Sequence, residues 1–175
     1  LDQNQNGPAV GVARSGLAPL NVVVSGHKRY NNKGEIVEQF EPYFDNGFDY
    51  AADDAVAGVS LKMYYDALGR MVKTLNPDGS EQRVYFGSIA QLNDPDQFAP
   101  SPWVRYMYDA NDLAASAPPG NQVPISHYDT PKSEKIDTLG RVKETTEHDA
   151  HYNGSIYEDV VMKYVYDIKG QLMLP

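Results

Sequence analysis

The residues best equipped for chemistry are His148 and His151, with Glu144 and Glu147 close by. A His-x-x-His spacing fits neither a strand face, where side chains repeat every second residue, nor the helical His-Glu-x-x-His zinc pattern. It predicts a surface turn rather than a metal centre. His127, Asp129 and Ser126 supply the residue types of a nucleophilic triad, but a triad is defined by geometry, not by order along a chain. No Gly-x-Ser-x-Gly elbow occurs, and Ser15, Ser25 and Ser155 lack that context. Asp2-Gln3-Asn4-Gln5-Asn6-Gly7 copies the opening of a calcium loop, yet Val10 fills the ninth position and Ala13 the twelfth, where a glutamate should close the coordination. Asp49, Asp53 and Asp54 would suit a cation or a solvated acidic loop. Carboxylates are plentiful, but no position singles out a glycosidase-type pair. A glycine-rich phosphate loop is missing. The expectation is a chain without catalytic, metal or cofactor site.

The stronger pattern is conformational. Asp66-Ala67-Leu68-Gly69 and Asn76-Pro77-Asp78-Gly79 each place Asp or Asn first and Gly fourth, and in the second the proline falls second. That is the residue order of a type I turn, closed by a glycine able to take positive φ. Both lie between strand-forming stretches, which predicts a three-stranded meander near 61–65, 70–75 and 81–86. The same reversal recurs at Asn31–Gly34 after Tyr30, at Asp137–Gly140 after Ile136, and at Asp167–Gly170 after Tyr166. The repeat is degenerate: 35 residues separate Gly34 from Gly69, 71 separate Gly69 from Gly140, and 30 separate Gly140 from Gly170. The structural residues of this array are Tyr30, Asn31 and Gly34; Tyr65, Asp66, Gly69 and Arg70; Asn76 and Gly79; Asp137, Gly140 and Arg141; Tyr166, Asp167 and Gly170. Arg70 and Arg141 are expected to brace the turn acids of adjacent units. Leu68 and Leu139 sit where a free tip would favour a polar residue, so they are expected to pack on a neighbouring unit.

Tyr30-Asn31-Asn32-Lys33-Gly34-Glu35-Ile36-Val37-Glu38-Gln39-Phe40-Glu41-Pro42-Tyr43-Phe44, Tyr65-Asp66-Ala67-Leu68-Gly69-Arg70, His127-Tyr128-Asp129-Thr130-Pro131 with Asp137-Thr138-Leu139-Gly140-Arg141-Val142, and Tyr166-Asp167-Ile168-Lys169-Gly170-Gln171 follow one another in order. This ordered set resembles the RHS/YD-repeat family, and most of all the B subunit of insecticidal Tc (ABC) toxin complexes, from about Ser25 to Gln171. The resemblance implies a mostly β chain of antiparallel hairpin repeats forming a curved sheet, part of an RHS-type shell, with at most one or two short helices. It further implies a wall segment of a cocoon that encloses a toxic polypeptide. Its partners would be the rest of its own shell, a C-type toxin component and a pore-forming A-type component, in a secreted or cell-surface bacterial protein. The chain departs from the family where Glu35 and Gln171 replace Arg, and where Ile136 replaces Tyr. The paired Asp-Pro-x-Gly motif of the family's self-cleaving core is missing, since Asp94-Pro95 is followed by Asp96-Gln97. Autoproteolysis is therefore not expected.

Composition narrows the alternatives. The 175 residues carry 24 acids and 15 bases, a net charge of −9. Such a balance disfavours nucleic acid and anionic membrane surfaces, which need lysine and arginine. Without cysteine, disulfides and thiolate metal sites are excluded. No apolar run approaches the roughly 20 residues of a membrane-spanning helix. Tyrosine supplies 13 of the aromatic residues, against 5 Phe and 1 Trp, as suits strands with a half-wet face. The chain starts and stops in mid-pattern, which predicts a piece of a longer protein. Two other functions suit the composition: an adhesion or glycan-binding module using acidic loops and exposed tyrosines, and a metal-dependent enzyme using His148 and His151.

In chain order, 1–20 reads as a flexible tail or linker and 21–175 as the repeat segment. A first strand is expected from Val22 to Tyr30, then a return through Ile36–Phe40 and an exit along an edge at Glu41–Phe44. Residues 48–57 read as a short helix or loop. Residues 87–102 read as a long loop, Trp103–Tyr108 as a strand, and Asp109–Ala117 as a helix capped by Asp109 or Asn111 and stopped by Pro118-Pro119-Gly120. Strands resume at Pro124–Tyr128, Lys132–Ile136 and Arg141–His148, and Asn153-Gly154 is a hairpin signal. Ile156–Tyr166 reads as one long strand, apolar on both faces and so not fully open to water on either.

Overall fold

A computed structural model describes residues 13–14, 17–46, 58–114, 128–152 and 157–173. All regular structure among them is β. Nine strands form one antiparallel sheet. In spatial order they are β3 (Lys28–Tyr30), β4 (Ile36–Phe40), β6 (Ser60–Tyr65), β7 (Met71–Leu75), β8 (Glu81–Tyr85), β11 (Val104–Tyr108), β12 (Lys132–Ile136), β13 (Val142–Tyr152) and β14 (Tyr157–Lys163). Spatial order follows chain order throughout, with two small sheets branching off. Strands β1 (Ala13–Arg14), β2 (Leu17–Val24) and β5 (Tyr43–Asn46) make one; β9 (Gly87–Ile89) and β10 (Phe98–Pro100) make the other. A terminal hairpin joins β15 (Val165–Tyr166) to β16 (Leu172–Met173).

The meander predicted from the two clearest turns is present as β6, β7 and β8. Other boundaries move. The strand expected from Val22 to Tyr30 divides at Gly26, whose φ is 75°, so β2 pairs with β5 while β3 opens the large sheet. Strand β2 begins at Leu17, inside the expected tail. The stretch read as a long loop carries the β9–β10 ladder, with Ile89 opposite Phe98. No helix forms where 109–117 lies within the described residues. Asp109 Oδ1 accepts from the N–H groups of Asn111 (2.7 Å) and Asp112 (3.0 Å), and the chain makes a single turn. The long strand expected over 156–166 breaks at Tyr164. The expectations for 48–57, for His127, Ser126 and the strand from Pro124, for 115–120, and for Asn153-Gly154 lie outside the described residues. The flanking strands of the last do pair antiparallel, Tyr152 opposite Tyr157.

The core is thin. Phe40, Tyr85 and Tyr108 are the buried apolar residues among those described, with Pro131 almost fully enclosed. Tyr85 stacks edge-on against both Phe98 and Tyr108, at 5.4 and 5.6 Å between centroids. Hydroxyl bonds from Tyr108 to Leu92 O (2.9 Å) and from Tyr85 to Asp96 Oδ1 (2.8 Å) tie the β9–β10 excursion onto the sheet. Tyrosine serves here because its ring buries while its hydroxyl still finds a partner.

Candidate functional site

Each of the five reversals has a common backbone frame. The first residue donates its N–H to the carbonyl four residues on, and the glycine donates back to the first residue's carbonyl. In the second turn these are Asp66 N to Arg70 O (2.9 Å) and Gly69 N to Asp66 O (3.0 Å), and the other four turns repeat the pair within 0.1 Å. The closing glycines all take φ between 77° and 85°. Such values favour glycine because a Cβ would crowd the carbonyl that follows. In four turns the first side chain then caps the loop. Asp66 Oδ1 accepts from Leu68 N and Arg70 N (both 2.9 Å), Asp137 Oδ1 from Leu139 N and Arg141 N (both 2.9 Å), and Asn31 and Asp167 do the same.

The residue after the glycine is matched to the residue that opens the turn. Where the turn opens on Asp, Arg or Gln follows; where it opens on Asn, Glu or Ser follows. Asp66 Oδ2 accepts from Arg70 Nε (2.7 Å) and Asp137 Oδ2 from Arg141 Nε (2.8 Å), each doubled by a second guanidinium nitrogen. Asn31 Nδ2 instead donates to Glu35 Oε2 (2.6 Å), and Asn76 Nδ2 to Ser80 Oγ (3.0 Å). Donor and acceptor are exchanged together, and this complementarity is visible in the sequence at spacing i, i+4. Backbone N–H bonds, first from Arg70 and Arg141, hold the Asp66 and Asp137 carboxyls below their ordinary range.

The arginines thus brace their own turns, not the acids of adjacent units. They reach the next unit through their flat faces. Arg70 Cζ lies 3.8 Å from the centroid of Phe86, and Arg141 Cζ 4.4 Å from that of Tyr166. The tyrosine before a turn ties back to the preceding unit. Tyr65 Oη donates to Ile36 O (2.9 Å) and Tyr166 Oη to Val142 O (2.7 Å), each acceptor lying two residues past the earlier unit's glycine. Tyr30, in the first unit, is exposed. Because neighbouring strands run antiparallel, the reversals at 31–34, 66–69 and 137–140 share one end of the sheet, with 76–79 at the other. Lys33 Nζ reaches Ala67 O (3.5 Å) between the first two, and the turn at 167–170 meets Arg141. The tips themselves are bare. Leu68 is 78% exposed and Leu139 74%, so neither packs on a neighbouring unit of this chain.

His148 lies in β13 at a bulge, not in a surface turn. Its Nε2 is 2.9 Å from Ser133 Oγ, its Nδ1 3.1 Å from Asp159 Oδ2, and its ring stacks on Tyr106. The connectivity is that of a hydrolytic triad, drawn from three adjacent strands. Ser133, however, is only 6% exposed, so the arrangement works as a tie across β12, β13 and β14. Glu144 pairs with Lys135 and Glu147 with Lys132, so the two carboxylates of the metal-like quartet are taken up by lysines. No group of three potential metal ligands gathers among the described residues. His148 also borders a hollow of about 670 Å3 with Lys132, Asp112 and Arg83. Burial, before any other cause, pushes the Asp112 carboxyl up.

A continuous antiparallel sheet whose reversals are bonded unit to unit has counterparts among solved structures. The chain superposes on the crystal structure of TcdB2-TccC3 with a TM-score of 0.66 at 23% identity, over 87% of its own length and 7% of that chain. Against the Photorhabdus luminescens Tc holotoxin pore the TM-score is 0.68 at 24% identity, over 89% of this chain and 7% of that one. The fold is Tc-toxin-like. The sequence matches no family profile and no curated protein. The chain spans less than a tenth of the length of the Tc chains it superposes on.

Proposed function

We propose that this chain is one segment of the wall of an RHS-repeat cocoon, which encloses a toxic polypeptide and helps to deliver it, and that it catalyses nothing itself. One observation carries the reading: nine strands pair in chain order into a single extended sheet with few buried apolar residues among those described, and a tyrosine hydroxyl ties the unit at 66–69 to that at 31–34 and the unit at 167–170 to that at 137–140. A globular enzyme or receptor would close a core around a site. A wall spreads. Its partners on this reading are the rest of its shell, a C-type toxin component and a pore-forming A-type component, and its place is outside a bacterial cell or on its surface.

The direct test exchanges this chain for the stretch of TcdB2-TccC3 on which it superposes. The expected chimera forms a closed shell by electron microscopy and shields its enclosed polypeptide from added protease. A chimera that folds yet leaves that polypeptide open to digestion overturns the reading. A glycan-binding role is the second reading, favoured by the exposed rings of Tyr30, Tyr64 and Trp103. Micromolar binding on a glycan array, lost on replacing Trp103, would support it.

A further inference from the structure

Two neighbouring strands part near the middle of the large sheet. The β7–β8 ladder ends at Lys73 opposite Arg83. Beyond that rung β7 runs on to Met71 against β6, while β8 runs on to Tyr85 against β11. A hollow of about 470 Å3 lies there, within the roughly 300–1,000 Å3 that small-molecule sites occupy. Val72 of β7 and Val84 of β8 line it, and Phe86, Phe98 and Pro100 complete its apolar surface. The β9–β10 excursion is fastened so as to supply the last two. A Cβ at Gly87 would stand 2.4 Å from Ala99 O and 2.6 Å from Phe98 Cδ2, so glycine alone lets the two short strands approach this closely. Ser101 N donates to Phe86 O (3.1 Å), and the Tyr85 hydroxyl to Asp96 Oδ1 (2.8 Å). Every wall comes from residues 66–100, inside the chain rather than at its ends.

The charges around this hollow are already paired. Arg70 holds Asp66 through two nitrogens and lies over the Phe86 ring; Lys73 pairs with Glu81, and Arg83 with Glu81 and Asp96. A charged ligand would have to break one of these pairs or enter without a partner, and a desolvated, unpaired charge is costly. Contact with the valine and phenylalanine surfaces is what a ligand gains. A gap between neighbouring strands suits a flat group, and phenylalanine rings attract another ring stacked offset or edge-on. We propose that the hollow between β7 and β8 binds a small uncharged aromatic molecule, its ring against Phe86 and Phe98 and its edges against Val72 and Val84. The site does not depend on the chain's role in a cocoon.

Indole is the probe, with indole-3-acetate and tryptamine as the same ring carrying a negative or a positive charge. Methyl NMR of the 175-residue chain follows each titration. Indole is expected to saturate, with its largest shifts at the Val72 and Val84 methyls, and both charged analogues to bind about tenfold more weakly or worse. Val72→Phe fills the hollow and touches no ion pair, and should weaken indole binding by about tenfold or more. If that chain does not fold, Phe98→Ala, which takes away one wall, reads the same loss; the comparison of analogues needs no variant. Indole that never saturates, or whose shifts scatter over the surface, overturns the proposal. So does a charged analogue that binds as tightly as indole, or a folded Val72→Phe or Phe98→Ala chain that binds indole like the parent.

Discussion

At Gly69 and Gly140 the backbone φ is 77° and 80°, but the surroundings differ. A Cβ at Gly69 would stand 2.8 Å from Glu35 Oε1, whereas at Gly140 it would meet open space. Gly140→Ala should therefore cost only the left-handed backbone penalty, about 1–2 kcal/mol, and Gly69→Ala more, because the glutamate of the neighbouring turn must also move. Urea midpoints of the two variants check the order; equal losses would show that the neighbour gives way freely. The exchange of partners across each turn gives a second prediction. Arg70→Glu sets two carboxylates against each other and should lower the melting temperature. Adding Asp66→Asn recreates the pairing of Asn31 with Glu35 and should recover most of the loss. If the double variant melts no higher than the single one, the complementarity is incidental.

At the scale of elements, the tyrosine ties bear the coupling between units. Tyr65→Phe and Tyr166→Phe keep the ring and remove one hydroxyl bond each. Each should cost about 0.5–1.5 kcal/mol by chemical denaturation. Tyr30→Phe, at an exposed ring, should cost nothing measurable. The same elements show what a sequence discloses. Reversals are legible because Asx and glycine are demanded by local geometry, whatever surrounds them. Strands β6, β7 and β8 follow, being pinned between two such reversals. The β9–β10 ladder is hidden because three-residue strands containing Gly87 and Pro100 show no alternation. A helix at 109–117 looks plausible because Asp109 is a good cap, but the buried Asp112 carboxylate turns back to accept from Asp109 N (2.7 Å) and from Thr130 (3.0 Å), closing a turn instead. The arginine's partner is a matter of one turn's geometry against the next, which position alone does not reveal, although the i, i+4 exchange of donor and acceptor does.

Taken whole, the molecule keeps its carboxylates in two kinds of setting. Asp66 and Asp137, held low chiefly by backbone N–H groups, and Asp78, held low first by the Ser80 hydroxyl, favour the charged form in the fold. Their contribution is present above the unfolded aspartate pKa of about 3.9 and is lost as pH falls through the lower folded values. Asp112, raised by burial, works in the opposite sense: its contribution is present at low pH and lost as pH rises through its folded value. Glu38, Glu81 and Glu144 are held low as well, so six carboxylates stand against one, and the melting temperature should drop as pH falls below about 4. The acid limb should be shallower in an Asp66→Asn/Asp137→Asn chain. A parent whose melting temperature is flat through that window would rule out the turn carboxylates as its source.

Strand neighbours in the large sheet are also neighbours along the chain, from β3 to β14. Tension applied between those two outermost strands therefore loads the ladders one row at a time, as when tape is peeled, and never shears many bonds at once. Such a sheet yields at small forces and in a series of short extensions. Threading it through a narrow opening, or drawing it out again, would demand little mechanical work at any single moment.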